Sequence, residues 1–167
     1  MIQGDSKIYF IMGVSGCGKS TIGNLLSDEL KIPFYDGDDY HSETNVKKMA
    51  SGQPLTDDDR MDWLLSLNEI ALNRREKGAI IGCSALKESY RKILENNLEN
   101  DVNWIYLSGS FDEVMSRLNQ RKGHFMPAAL LKSQFETLEI PGNAIKVSIN
   151  QSAGQIVKRI LELIESQ

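Results

Sequence analysis

The densest chemical signal in the chain is Gly13-Val-Ser-Gly-Cys-Gly-Lys19-Ser20, which matches the pattern of a phosphate-binding loop. Glycines at 13, 16 and 18 open backbone conformations closed to other residues. The N–H groups of Gly13, Val14, Ser15, Gly16, Cys17 and Gly18 can therefore converge on phosphate oxygens at the positive end of a following helix. In this pattern Lys19 reaches the β- and γ-phosphates of ATP, Ser20 binds magnesium, and Thr21 closes the nucleotide-binding run. A glycine turn that only joined strand to helix would explain neither Lys19 nor Ser20. The Cys17 side chain is not demanded by the pattern and reads as a spectator thiol.

Transfer of a phosphoryl group also needs an aligned acceptor hydroxyl and a group to take its proton. Asp36-Gly-Asp-Asp39 follows a short apolar segment, where a parallel sheet places its carboxyl-end loops. Asp38 is the candidate base, and Asp36 the candidate to orient a magnesium-bound water. An Asx turn around Gly37 is the competing use of both residues. The strands read at 79–83 and 102–107 do not end in the aspartate that many phosphate-loop enzymes keep near magnesium, which leaves that duty to Asp36 or Asp38. Ser84 follows the earlier of them and suits either magnesium-bound water or substrate. Two histidines, His41 and His124, are too few for a metal cluster, and an isolated histidine is more often a packing or surface residue.

These residues need a scaffold that brings them together. Residues 7–12 form a continuous apolar run, as expected for a central strand covered on both faces, and helical spacing of Ile22, Leu25, Leu26 and Leu30 predicts a helix over 19–30. A second strand is predicted at 33–35, a polar insertion over 41–59, and a longer helix over 60–76. The strands at 79–83 and 102–107 are followed by helical segments near 87–97 and 112–121. A fifth strand at 144–149 precedes a last helix striped by Ile156, Val157, Ile160, Leu161 and Ile164. Alternation of strand and helix implies an α/β fold, a mainly parallel sheet with helices on both faces.

Length and charge narrow the class. With 167 residues, 41% hydrophobic and 25% charged, the chain can bury one core, which predicts a single domain over 1–167. A net charge of -4 excludes a general nucleic-acid binder, which needs a basic surface to displace counterions. The apolar run at 8–14 is too short to span a bilayer and has no signal-peptide cleavage site, so no membrane partner is expected. Cys17 and Cys83 lack the spacing of a zinc site or a disulfide scaffold, which fits a reducing, cytoplasmic setting.

Taken with later segments, the chain resembles the small gluconate kinases, relatives of shikimate kinases and nucleoside monophosphate kinases. The resemblance rests on the loop at Gly13; on Asp36-Gly-Asp38 with His41, Asn45 and Lys48-Met49; and on Gly52-Gln-Pro-Leu55 with Asp57, Asp59 and Arg60. It extends through Cys83-Ser-Ala-Leu-Lys87 with Tyr90-Arg91, and through Gly123-His-Phe-Met-Pro127 with Ser133-Gln-Phe135. It implies a P-loop kinase fold with five parallel strands, a substrate-binding insertion near 41–60, a mobile lid near 121–127, and a homodimer. It further implies ATP- and magnesium-dependent conversion of D-gluconate to 6-phospho-D-gluconate.

By the same resemblance, Arg121 meets the phosphates and Arg117 the nucleotide, stacking on adenine. His41, Arg60, Arg91, His124 and Gln134, with Asp38 and Ser84, contact the substrate. Read from the residues alone, Arg117 and Arg121 also suit a solvated helix end, Arg60 a salt bridge or helix-start cluster with the acidic run Asp57-Asp-Asp59, and Arg91 a surface helix. A shikimate or other small-acid kinase is the alternative within enzymes, although Cys83-Ser-Ala-Leu stands where shikimate kinases carry a glycine run. A nucleotide-binding switch module is the alternative outside them.

Overall fold

The computed structural model describes residues 8–120 and 128–167. Strand β1, Ile8–Met12, is buried along its whole length. The loop that follows leads into α1, Lys19–Leu30, the span the apolar spacing predicts. Strand β2, Phe34–Asp36, starts one residue later than expected, so Asp36 is its last residue and Asp38 lies in the 3-10 turn Gly37–Tyr40.

The stretch 41–59 differs most from expectation. It holds α2, Glu43–Ala50, and the first turn of α3, Asp57–Arg74. Helix α2 buries only Asn45, so its sequence carries no apolar stripe to reveal it. It starts because Ser42 accepts from the Asn45 amide and Glu43 sits in the first turn. Helix α3 begins three residues before the predicted Arg60, at a capping box in which the Thr56 and Asp59 side chains each accept from the other's backbone N–H.

The chain continues through β3, Ala79–Gly82; α4, Glu88–Leu94; β4, Val102–Ser108; α5, Phe111–Gln120; α6, Ala128–Thr137; β5, Ile145–Ser148; and α7, Ala153–Glu165. The five strands pair in parallel in the order β2-β3-β1-β4-β5, with β1 in the centre. Strand β2 is therefore an edge strand separated from β1 by β3, not a direct neighbour of the strand that carries the loop.

Strand pleating divides the core in two. Tyr9 and Ile11 face one side, where Ile22, Leu26, Val114, Ile156 and Ile160 pack. Ile8, Phe10 and Met12 face the other, against Trp63, Leu64, Leu67, Tyr90 and Leu94. Helices α1, α5 and α7 thus cover one face and α3 and α4 the opposite one, which leaves the carboxyl ends of the strands open for a site.

Candidate active site

Gly16 at φ +83° and Gly18 at φ +102° turn the loop through left-handed conformations, and Gly18 is the N-cap of α1 without a side-chain cap. No acidic side chain lies in the first turn of that helix, so its free amides and positive end face an open cleft. A methyl group on Gly16 would lie 2.7 Å from Leu118, which shows how closely α5 supports the loop from outside. Val14 and Cys17 are buried, so both contribute backbone to the loop while their side chains pack beneath it.

Lys19 arches back over this loop. Its Nζ donates to the Gly13 carbonyl at 2.9 Å and the Val14 carbonyl at 3.1 Å. Ser20 Oγ donates to Asp36 Oδ2 at 2.5 Å, while Asp36 Oδ1 accepts from the Asp38 amide at 3.1 Å. Asp36 therefore makes the Asx turn with one oxygen and meets the Ser20 hydroxyl with the other. This pair of hard oxygen donors suits a cation that keeps most of its own waters. Among the described residues no cluster of three or more His, Cys, Asp or Glu side chains could hold a metal ion by itself, so any magnesium here would depend on phosphate oxygens as ligands.

Asp36, Asp38, His41, Arg60 and Ser84 line one cleft of about 400 Å³ with Lys19 and Ser20. His41 stacks on Trp63 with ring centroids 4.0 Å apart, and Trp63 Nε1 donates to the Gly37 carbonyl at 2.7 Å, which secures the turn that carries Asp38. Nδ1 of His41 is buried without a hydrogen-bond partner. Burial holds the His41 pKa below its ordinary 6.5, with Arg60 acting in the same direction and Asp38 opposing, so the ring is neutral near pH 7.

Gln134 borders the cleft, as expected, and adds a contact that the sequence did not show. Its Oε1 accepts from the Ser15 amide at 2.8 Å and its Nε2 donates to Ser15 Oγ at 3.0 Å, so α6 is clamped to the phosphate loop by the residue expected to meet substrate. Arg117 donates to the Ile149 carbonyl, and one of its nitrogens lies 3.7 Å from where a methyl group on Gly18 would stand. That places Arg117 beside the phosphate loop. Thr21 is exposed on α1. Arg121 and His124 lie outside the described residues.

Arg91 is not brought to the cleft. It is 6% exposed, donating through Nη1 to the Ala85 carbonyl at 2.7 Å and through Nη2 to the Glu139 carbonyl at 2.9 Å. Both surface exposure and substrate contact give way to a structural clamp that ties the segment after β3 to the segment after α6. Burial lowers its pKa.

Beside the cleft lies a second cavity of about 740 Å³, and Ser15, Met49, Leu55, Arg60, Leu86 and Gln134 border both. Apart from Arg60, its charged wall was not foreseen as a site. Lys87 Nζ donates to Asp57 Oδ1 at 3.1 Å, Tyr90 Oη donates to the same carboxylate, and Arg60 Nη1 donates to Tyr90 Oη at 3.1 Å and to the Leu55 carbonyl at 2.6 Å. Those bonds from Tyr90 and Lys87 lower the Asp57 pKa. A separate pair, Lys48 with Asp59 at 2.6 Å, holds Asp59 down to about 2 and joins α2 to α3.

Comparison with known proteins shows the family of the chain. The family model described as shikimate kinase matches residues 15–164. The thermoresistant gluconokinase of Escherichia coli is 44% identical over 167 residues, covering 96% of this chain and 95% of that protein. This chain belongs to the gluconokinase family. A probable gluconokinase of Mus musculus is 45% identical over 179 residues, covering 95% of this chain and 97% of its own. The crystal structure of a gluconokinase from Sinorhizobium meliloti superposes with a TM-score of 0.87 at 37% identity, covering 96% of this chain and 92% of that one. Gluconokinase relatives at this coverage support the motif-based resemblance along nearly the whole chain. Lys87 and Tyr90 belong to the segments that carry that resemblance, so a signal existed, but nothing in their local spacing paired them with Asp57.

Proposed function

We propose that this protein transfers the γ-phosphoryl group of ATP to D-gluconate, giving 6-phospho-D-gluconate and ADP. The observation that carries the reading is the meeting of an amide-lined phosphate loop with the Asp38 carboxylate and the Arg60 guanidinium in one cleft, in a chain of the gluconokinase family. In this reading the loop amides and Lys19 hold the triphosphate, and Arg117 contacts the nucleotide. The acceptor oxygen attacks the γ-phosphorus, the bond from that phosphorus to the ADP oxygen breaks, and Asp38 takes the hydroxyl proton. Arg60, neutral His41 and Ser84 orient the sugar acid. Magnesium, held beside Ser20 and through water by Asp36, would neutralise charge on the β- and γ-phosphates.

Gln134 acts in this scheme by fixing the loop through Ser15. Arg121 and His124 lie outside the described residues, and their phosphate and substrate contacts, like a lid near 121–127, rest on the resemblance alone. We further propose a cytoplasmic location, supported by two buried free cysteines, and a homodimer, supported by the resemblance alone. Among the described residues no helix is long and apolar enough to cross a membrane.

A panel of acceptors with ATP and magnesium tests the reaction, with ADP release and product mass as readouts. Gluconate is expected to be the best acceptor, phosphorylated at its terminal hydroxyl. Preference for shikimate or a nucleoside monophosphate would overturn the assignment, and ATP binding without transfer to any small acceptor would favour a switch module.

A further inference from the structure

We propose that the second cavity receives the carboxylate end of the acceptor, read by Lys87 and Tyr90, and that Asp57 is an internal stand-in for that carboxylate. The inference rests on the gluconate reading and deepens it by fixing which end of the acid lies where.

Two donors converge on one exposed acid, and a third stands behind one of them. Lys87 Nζ lies 3.1 and 3.4 Å from the two oxygens of Asp57, Tyr90 Oη donates to the first of them, and Arg60 backs the phenol through its own bond to Tyr90 Oη. Arg60 and Lys87 also sit over the Tyr90 ring, 5.3 and 5.5 Å from its centroid. Lys87 and Arg60 thus gather around the phenol that meets Asp57, and Asp59, two residues further along α3, is taken by Lys48. Their positive charge favours a carboxylate that takes the place of Asp57.

Asp57 is suited to being displaced. Its side chain is 63% exposed, against 34% for Lys87, and an ion pair that open to water contributes little to holding the fold together. Its carboxylate can swing to solvent and leave the donors to a bound acid of the same geometry, so the empty site keeps its cations oriented without a strong internal competitor.

The two cavities also set the polarity of the ligand. Asp38 borders only the cleft, Lys87 and Tyr90 border only the second cavity, and Arg60 borders both. An acid anchored at Lys87 presents its far end to Asp38 and the phosphate loop. For an open-chain six-carbon acid that far end is the terminal hydroxyl, which is why the 6-position and not a hydroxyl beside the carboxylate is phosphorylated.

Steady-state kinetics of the intact enzyme test this with D-gluconate and with D-gluconamide, the same chain bearing a neutral amide. Lys87→Met is expected to raise the gluconate KM about tenfold or more while kcat stays within about twofold, because the lost bond is made equally in ground and transition states. The gluconamide KM should hardly move, and Lys87→Arg should restore much of the discrimination. Asp57→Asn should lower the gluconate KM, since a competitor for the donors loses its charge. A gluconate KM unchanged in Lys87→Met, or an equal rise for gluconamide, overturns the carboxylate subsite. A KM raised by Asp57→Asn as far as by Lys87→Met overturns the stand-in role and makes Asp57 a support for the lysine. If the unaltered enzyme phosphorylates no sugar acid, the function reading itself fails, which is a separate result.

Discussion

Asp36→Asn separates two jobs that one carboxylate performs. Oδ2 accepts from Ser20 Oγ at 2.5 Å and Oδ1 from the Asp38 amide at 3.1 Å. A neutral amide can keep only one acceptor in place, and it halves the strength of a charge-assisted bond, so the folded state should lose about 1–2 kcal/mol. For a chain of this size that is a fall in Tm of roughly 2–8 °C. The effect on catalysis should be larger. In the proposed mechanism this carboxylate orients a metal-bound water and the Ser20 hydroxyl as an outer-sphere partner of magnesium, so losing it should raise the magnesium concentration for half-maximal rate about 10- to 100-fold. The assay is initial rate against magnesium at saturating gluconate and fixed ATP, beside a thermal melt of the same preparation. A lowered Tm with an unchanged magnesium requirement would refute the metal-side role and leave Asp36 as the cap of the Gly37–Tyr40 turn alone.

Asp38→Asn should lower kcat about 100-fold or more with little change in ATP affinity, measured by single-turnover rates and by calorimetry; an unchanged kcat would remove Asp38 from the role of base. Arg91→Met should cost about 3 kcal/mol in urea unfolding, because the Ala85 and Glu139 carbonyls lose a charged donor, while the gluconate KM stays near its original value. The lowered pKa of His41 gives a signed pH dependence. The unfolded chain takes up a proton on this ring below 6.5 before the folded protein does, so its contribution to stability is complete above 6.5 and is lost as pH falls through the lower folded value. Urea midpoints compared between about pH 7.5 and about pH 5 should therefore fall further in the original protein than in His41→Gln, and equal falls would contradict the burial argument.

Where a function lives in contiguous residues, the sequence already displayed it. The eight-residue loop from Gly13 to Ser20 carries its own backbone freedom and its own cation, and the apolar periods around it determine a buried strand and an amphipathic helix without help from distant parts. Helix α2 escaped notice for the matching reason: it buries one asparagine and so has no apolar period to read.

Roles that depend on who stands opposite a side chain were decided only by the tertiary structure. Arg60 and Arg91 are both arginines in polar segments, yet one opens onto the cleft and the other is spent on two carbonyls, because α4 turns Arg91 inward. Gln134 reaches Ser15 across 119 positions of chain, and Asp57 meets Lys87 and Tyr90 across 30 and 33. A hydrogen bond acts over about 3 Å of space and is indifferent to separation along the chain, so local pattern can nominate a charged residue but only packing assigns its partner.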